Sequence, residues 1–210
     1  MSDFRPAPLV RVVDDDPTVC QSMQFVLEIA GFQVKPYLSA AAFLEGDDAS
    51  RAGCVILDVR MPGMSGLELQ HEMARRRLRL PVIFLTGHGD IAMAVEALHD
   101  GAADFLVKPP DADKLIAVVQ KAVAADRQAR RVRAERERLA ALVAGLTPAE
   151  REAAALIGKG LHTSVIAGLM GVKEATVKVY RSAVYRKLDA LNPVEVSQIM
   201  AEVGAAEDGS

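Results

Sequence analysis

Several features that mark other classes of protein are missing from this sequence. The chain has 210 residues, only two cysteines and an aromatic content of 4%. No apolar run approaches the roughly 18 residues that a membrane-spanning helix needs. The first residues also lack the apolar core of a secretory signal peptide. Cys20 and Cys54 both lie in apolar stretches, so we expect two free thiols in a core. These absences argue against a membrane or secreted protein and favour the cytoplasm.

The composition is that of a folded chain with two different halves. Half of the residues are hydrophobic, and the 15 glycines and 10 prolines form no low-complexity block. Residues 1–125 carry 12 Lys and Arg against 17 Asp and Glu, whereas residues 126–210 carry 13 against 11. An acidic first half and a mildly basic second half predict two domains with different partners.

A short apolar run at 53–57 ends in a single carboxylate, Asp58, and the turn Pro62-Gly63 follows. An unbroken Val/Ile/Leu run between turn residues is typical of a strand buried on both faces of a parallel sheet. Ligands of such sheets bind at the carboxyl ends of the strands. Asp58 is therefore placed where chemistry is expected, although alone it could simply cap a turn.

A second carboxylate group follows the apolar strand predicted at Leu9–Val13, in the sequence Asp14-Asp15-Asp16. Adjacent carboxylates repel one another, so a strand-end cluster of this kind is either well hydrated or neutralised by a cation. If this strand lies beside the Asp58 strand, Asp14, Asp15 and Asp58 converge. Such a set of hard oxygen ligands suits Mg²⁺.

Strands and helices alternate through the first half, which predicts a doubly wound parallel sheet of five strands. The strands are expected at Leu9–Val13, Phe32–Tyr37, 53–58, Pro81–Leu85 and Asp104–Val107. The helices are expected at Thr18–Ala30, from Ser39, at 66–76, at Ile91–His99 and at Asp113–Ala125. Thr86 and Lys108 follow the last two strands, so the same edge gains a hydroxyl and a cation. An aspartate, a metal site, a hydroxyl and a lysine together can accept a phosphoryl group.

These segments resemble the receiver domain of bacterial two-component response regulators over residues from about 8 to 125. The likeness is carried by 13–15, 57–63, 86–90 and 105–109. The intervals also fit, with 43 residues from Asp15 to Asp58, 28 more to Thr86 and 22 more to Lys108. The residues around Thr86 are most similar to those of the FixJ branch. The resemblance to receiver domains implies a flavodoxin-like fold of the CheY type.

The resemblance implies that Asp58 is phosphorylated by the phosphohistidine of a sensor histidine kinase. It implies that Asp15, Asp58 and the main-chain carbonyl of Arg60 hold Mg²⁺, with Asp14 in support. His88 and Arg60 occupy positions that influence phosphate lifetime in the family.

The same resemblance gives Thr86 and Lys108 the role of binding the phosphoryl oxygens and implies a cis peptide between Lys108 and Pro109. Phe105 would be the switch aromatic that turns inward when Thr86 moves towards the phosphate. The alternative for Phe105 is an ordinary core residue of its strand.

The second half begins with a charged stretch, 126–143, which we predict to be a helical linker because good helix formers of both signs dominate it. A coiled coil is the alternative, resting only on Val132, Leu139 and Leu142. A domain is then predicted over 144–204, with a tail at 205–210. Its first helix has Thr147 as N-cap, Pro148 at the first helical position and Glu150 closing a capping box with Thr147.

Two short helices, Thr163–Met170 and Lys173–Leu188, are joined by a turn at Gly171 and predict a helix-turn-helix. Between 173 and 187 there are five Lys and Arg and one Glu, which favours the second helix as the one that enters the major groove. A fourth helix is expected from Pro193 to about Val203.

Residues 146–203 resemble the all-α, four-helix LuxR-type DNA-binding domain, also called the NarL/FixJ type. The matching pieces are 146–152, 166–167, 176–181 and 186–188. Tyr180 replaces the usual His, and 164–165 replace a usual charged pair. The likeness implies two groups of contacts with DNA. Base edges would be met by Lys178, Val179 and Ser182, and phosphates by Thr176, Arg181 and Lys187.

The sequence therefore predicts a response regulator, not an enzyme, with a receiver over 1–125. Phosphorylation would favour a homodimer that binds DNA and regulates transcription, with RNA polymerase as a further partner. A phosphohydrolase using Asp58 is the rival, but such enzymes usually place a second Asp where Arg60 stands. An adaptor that takes no phosphate is a third reading. An RNA-binding output lacks the expected aromatic platform.

Overall fold

The computed structural model describes residues 7–87 and 101–207. The chain divides into two compact units, Met1–Arg130 and Arg131–Ser210. The first contains a sheet covered by helices, and the described part of the second contains helices joined by short turns, with no strand.

The first unit is built on a five-stranded parallel sheet with the order β2-β1-β3-β4-β5. The strands are β1 Leu9–Val13, β2 Gln33–Tyr37, β3 Gly53–Asp58, β4 Val82–Thr86 and β5 Asp104–Val107. Every residue of β1, β3 and β4 is buried, as expected for the middle strands of a sheet covered on both faces.

Helices in the first unit begin at polar caps that the sequence shows. They are α1 Pro17–Ile29, α2 Ala40–Gly46, α3 Gly66–Arg75 and the long α4 Ala112–Ala144. Asp16, Ser39 and Ser65 cap the first three by accepting a hydrogen bond from a main-chain N–H of the first turn. The helix predicted at Ile91–His99 lies outside the described residues.

Apolar side chains fill both faces of the sheet, which confirms the doubly wound arrangement. On one face the core includes Val12, Met23, Leu27, Ile56 and Val119. On the other it includes Phe43, Leu57, Leu69, Met73 and Phe84. The apolar strand β1 also contains a fully buried charge, Arg11, whose Nε donates to both carboxylate oxygens of Asp47 at 3.0 and 3.1 Å.

In the described part of the second unit, four further helices pack around one core, to which Val143 near the end of α4 also contributes. They are α5 Pro148–Gly158, α6 Thr163–Met170, α7 Glu174–Leu188 and α8 Pro193–Glu207. The predicted capping box of Thr147 and Glu150 is present, and Gly171 ends α6 with a φ of 66°. The core contains Ile157, Ile166, Val177, Val184, Leu188 and Val196.

The two units share one helix in the chain. The helix predicted at Asp113–Ala125 and the predicted linker form the single helix α4, which spans 33 residues. The last helix extends to Glu207, so residues 205–207 are helical. Residues 208–210 lie outside the described ranges, and the predicted domain limits at 125, 143 and 204 stay predictions.

Candidate phosphoacceptor site and nucleic-acid interface

Three carboxylates meet at the carboxyl edge of the sheet because of the pairing between β1 and β3. Val13 lies opposite Leu57, so the following residues, Asp14 and Asp58, are neighbours. One oxygen from each of Asp14, Asp15 and Asp58 lies within 4.8 Å of the other two. Asp14 and Asp58 are buried and Asp15 is exposed. This donor set, three hard oxygen ligands with one side open to water, fits the coordination that Mg²⁺ prefers.

Lys108 brings a positive charge to the same cluster. Its Nζ lies 2.6 Å from Oδ2 of Asp14 and 3.1 Å from Oδ1 of Asp58. The peptide bond between Lys108 and Pro109 is cis, which confirms the prediction. The main-chain N–H of Lys108 donates to the carbonyl of Thr86 at 2.7 Å, so β4 and β5 fix where this lysine leaves the sheet.

The surroundings of the Asp58 carboxyl act on its pKa in opposite directions. Burial raises its pKa, and the nearby Asp14 charge adds to this effect. The hydrogen bond and charge of Lys108, together with the Arg60 N–H, act in the opposite direction without cancelling it. Burial lowers the pKa of Lys108, but its hydrogen bonds to Asp14 and Asp58 outweigh that, so this pKa is raised and the ammonium form is favoured.

Thr86 and Phe105 lie on the neighbouring strands β4 and β5. Thr86 is fully buried at the end of β4, and its hydroxyl donates to the carbonyl of Gly87 at 3.2 Å. Phe105 is half-buried in β5, paired with Phe84, and packs against the second core cluster. His88 lies outside the described residues.

Gly66 is a site residue that sequence reasoning missed. A Cβ added at this first residue of α3 would lie 2.1 Å from the carbonyl oxygen of Asp58. The start of α3 therefore packs directly on the main chain of the central carboxylate. A glycine directly after the cap residue Ser65 was the available signal. Glycine is a poor helix former, so its use at a helix start indicates that another backbone approaches too closely for a side chain.

The Lys108 side of the cluster opens into a groove of about 320 Å³ between α1 and the beginning of α4. Its lining includes Val19, Met23, Val26, Pro109 and Leu115. Because Asp16 and Lys108 also line it, the rim of the sheet can be approached from this apolar side.

In the second unit, α7 presents an outer face as the sequence predicts. Val177, Val184 and Leu188 are buried, whereas Lys178, Val179 and Ser182 are exposed on the opposite side. Arg186 is exposed too and lies one turn beyond Ser182, so it extends this face.

The three residues predicted to reach phosphates are each partly buried. Thr176 lies in the first turn of α7. Arg181 donates to the Thr163 hydroxyl at 3.2 Å, and so ties α7 to the beginning of α6. Lys187 donates to Oε2 of Glu150 at 2.6 Å and to the carbonyl of Gly145 at 3.1 Å. In this structure Arg181 and Lys187 hold the helices of the unit together.

A parallel sheet with this carboxylate cluster, followed by a helix-turn-helix unit, defines a response regulator. Residues 10–120 match the family described as response regulator receiver domain, and residues 144–200 match the bacterial regulatory proteins of the luxR family. The chain belongs to the response regulators that join a receiver domain to a LuxR-type DNA-binding domain, and so acts in two-component, phosphorylation-dependent regulation of transcription.

Two relatives match the chain over nearly its whole length. The chain is 40% identical to the transcriptional regulatory protein FixJ of Azorhizobium caulinodans over 203 residues, covering 96% of each chain. It is 35% identical to the tetrathionate response regulatory protein TtrR of Salmonella typhimurium, covering 94% of each.

Solved structures agree with the fold. The response regulator StyR is 36% identical, covers 93% of this chain and 99% of its own, and gives a TM-score of 0.88. Full-length FixJ from B. japonicum is also 36% identical, covers 94% and 98%, and gives a TM-score of 0.58. Across 7–87 and 101–207, no helix combines the length and apolarity needed to cross a bilayer.

Proposed function

We propose that Asp58 accepts a phosphoryl group from a sensor histidine kinase and that this acceptance controls binding of the second domain to DNA. The observation that carries the proposal is the convergence of Asp14, Asp15 and Asp58, with Lys108 bridging Asp14 and Asp58. A buried carboxylate at a strand end, held beside a cation and accessible to a phosphoryl donor from one side, is suited to accept a phosphoryl group.

In the transfer step, an Asp58 carboxylate oxygen attacks phosphorus as the phosphorus–nitrogen bond of the donor histidine breaks. The electron pair of that bond stays on the imidazole nitrogen. Lys108 would then shift its ammonium group towards the phosphoryl oxygens, and the Thr86 hydroxyl would leave Gly87 to donate to them. Phosphoryl transfer depends mainly on such positioning and charge neutralisation.

Asp15, Asp58 and the Arg60 carbonyl would hold Mg²⁺, with Asp14 supporting them. When bound, Mg²⁺ neutralises charge on the carboxylates and on the incoming phosphoryl group. The exposed Asp15 leaves room for water ligands, while Asp14 is already paired with Lys108.

The phosphorylated state would favour a homodimer. A phosphoryl group adds about −1.5 to −2 charges and new acceptors for Thr86 and Lys108. Movement of Thr86 would let Phe105 turn inward and shift the receiver between two states. The predicted helix that completes this surface, Ile91–His99, lies outside the described residues.

For the output we propose that α7 enters the major groove. Lys178, Val179 and Ser182 would meet base edges because they are exposed on one face of the helix. Thr176, Arg181 and Lys187 would reach phosphates at the margins, the last two after exchanging their present partners. RNA polymerase is a further partner of a regulator bound in this way, and the cytoplasm is the compartment in which it meets DNA.

We further propose that the chain is not an enzyme with a turnover of its own. Arg60 stands at the position where a phosphohydrolase of this geometry would carry its second aspartate. The guanidinium of Arg60 cannot take the place of that carboxylate as general acid or base.

The test compares the DNA affinity of the wild type with that of Asp58→Asn, each with and without acetyl phosphate and Mg²⁺. The operator would first be found by selection from random duplexes. We expect the phosphodonor to raise the affinity of the wild type alone. Equal binding by both proteins in all conditions would refute the switch, and steady release of phosphate from small esters would favour the phosphohydrolase.

A further inference from the structure

The first turns of the predicted linker are fastened to the receiver at the edge of the sheet opposite Asp58. Asp126 is only 2% exposed, although it lies in a charged stretch of α4. Its Oδ2 accepts the main-chain N–H of Gly53, the first residue of β3, at 2.8 Å and the Nε of Arg130 at 2.7 Å. The buried carboxylate thus joins the beginning of β3 to α4.

Arg130 completes this attachment from one turn further along the helix. Its guanidinium donates to the carbonyl of Ser50 at 2.7 Å and to that of Ala49 at 2.9 Å. A planar guanidinium can make these bonds and the Asp126 pair at once, because its five N–H groups diverge in a fixed fork. Arg130 is also the last residue of the first compact unit.

The Gly53 N–H, which donates to Asp126, is fixed in place by the close approach of Gly53 to the main chain of Leu9. A Cβ on Gly53 would lie 1.8 Å from the carbonyl oxygen of Leu9, so the residue must be glycine for β3 to start here. The Gly53 N–H therefore occupies one position, and Asp126 is held against a rigid part of the sheet.

Beyond Arg130, the next turns of α4 make few packing contacts that could stabilise the helix. Residues 131–138 are mostly charged and largely exposed, and of their two apolar side chains Val132 is 41% exposed and Ala134 is exposed too. Packing resumes only at Leu139 and Val143, which are buried. A helical segment without an apolar face gains little from tertiary contacts, so its order depends on the turns that are fastened on either side of it.

We propose that Asp126 and Arg130 are positioning residues that keep this linker helical and thereby transmit the state of the receiver to DNA binding. The Asp126–Arg130 turn is the last turn of α4 that is fastened to the first unit, and residues 131–138 continue the helix from it. Without it, the linker would exchange between helix and coil, and the two units would respond less to one another. The part of the inference that concerns DNA rests on the proposed function.

The experiment uses the full chain with Arg130→Gln, and with Asp126→Asn as a second variant. The control is Arg138→Gln, since the described bonds of Arg138 go only to Glu135 within the same helix. Hydrogen exchange of the amides at 131–138, phosphate incorporation from acetyl phosphate, and DNA affinity with and without the phosphodonor are measured for each protein.

We expect both anchor variants to accept phosphate as the wild type does, which shows that the receiver remains folded. Their exchange at 131–138 should rise about tenfold or more, and the stimulation of DNA binding by the phosphodonor should fall, while Arg138→Gln matches the wild type. Exchange as slow as in the control would overturn the anchor. Fast exchange with full stimulation would overturn its role in transmission.

Failure of the proposed function gives a different pattern. If phosphodonor leaves the DNA affinity of the wild type unchanged, the switch itself is absent and the transmission role falls with it. The exchange measurement still decides by itself whether Asp126 and Arg130 order the linker.

Discussion

At the scale of the residue, Lys108 occupies the space between two buried carboxylates. Its Nζ pairs with Asp14 and Asp58 while its side chain stays about a quarter exposed, at 26%. Removing it would leave both carboxylates without this cation in a partly dehydrated site, which is costly because their charges lose hydration and partner together.

We therefore predict that Lys108→Ala lowers the free energy of unfolding by about 1–3 kcal/mol in EDTA. Mg²⁺ should restore stability more strongly in the variant than in the wild type, since the carboxylates are then free to bind it and ligand binding stabilises the folded state. Thermal unfolding with EDTA and with Mg²⁺ measures both effects. Lys114→Ala, an exposed lysine on α4, is the control. Equal Mg²⁺ effects in all three proteins would contradict the assignment of this site.

Glu150 shows how one side chain can serve both a cap and an ion pair. It accepts the N–H of Thr147 at 2.8 Å and the ammonium of Lys187 at 2.6 Å. The hydrogen bond from Lys187 is the main reason that the pKa of Glu150 lies below its ordinary value, with the Thr147 N–H as the second cause. A carboxyl with a lowered pKa in the folded state stabilises that state above its ordinary pKa and loses this contribution as the pH falls.

Lys187→Gln should therefore destabilise the second unit at pH 7, and the difference from the wild type should shrink as the pH falls below about 4.5, the ordinary value for glutamate. Chemical unfolding at several pH values measures this. Arg186→Gln, an exposed neighbour, should show no such dependence.

Lys187→Gln also tests the predicted phosphate contact. If Lys187 reaches a phosphate in the complex, its loss should reduce the slope of log affinity against log salt by about 1. An unchanged slope with weaker binding would instead mean that Lys187 acts only by holding α7 against α5.

At the scale of the element, the beginning of α3 lies so close to the end of β3 that there is no room between them for a side chain on Gly66. Gly66 lies where a Cβ would meet the Asp58 carbonyl at 2.1 Å, so the helix and the main chain of Asp58 are tied together. Elsewhere in the chain, Gly168 lies within α6 with nothing within 4 Å of an added Cβ.

The two glycines should respond to alanine with opposite signs. Gly168→Ala should stabilise the second unit by about 0.5–1 kcal/mol, because alanine is the better helix former and the space is open. Gly66→Ala should destabilise the first unit and slow phosphorylation by acetyl phosphate, because α3 must move away from Asp58. Calorimetry and phosphorylation rates measure these effects. A Gly66→Ala protein as stable and as reactive as the wild type would contradict the close packing.

At the scale of the whole molecule, the chain joins a receiver to a DNA-binding unit through one helix of 33 residues. A regulator that dimerises on phosphorylation gains affinity mainly from engaging two half-sites at once, since the second binding event becomes intramolecular. A single half-site offers no such gain.

Phosphodonor should therefore raise the affinity for a duplex with two half-sites by roughly 10²-fold and leave the affinity for one half-site nearly unchanged. Titrations of the two duplexes, with sedimentation to follow the mass of the protein, measure this. An equal rise on both duplexes would mean that phosphorylation acts within one molecule and not through a dimer.

Much of this organisation could be predicted from the sequence, because the informative patterns are local. Buried strands appear as apolar runs, and helices begin at Ser39 and Thr147 as capping residues require. The carboxylates could be placed together because parallel strands present their carboxyl ends at one edge.

Features that depend on distant partners could not be predicted in this way. Arg11 is buried in an apolar strand because Asp47 lies within hydrogen-bonding distance in the fold. Asp126 reads as the start of a solvated linker, but Gly53 and Arg130 give it partners that make burial tolerable. Lys187 reads as a free cation until Glu150 is placed beside it.

Cys20 and Cys54 are both buried, and both belong to the first unit. Burial raises the pKa of the Cys20 thiol to about 11 and that of Cys54 to about 12, so neither presents the reactive thiolate while the fold is intact. The second unit contains no cysteine. The rate at which a thiol reagent labels the native chain therefore reports how often the receiver opens, by itself, with no contribution from the unit that binds DNA.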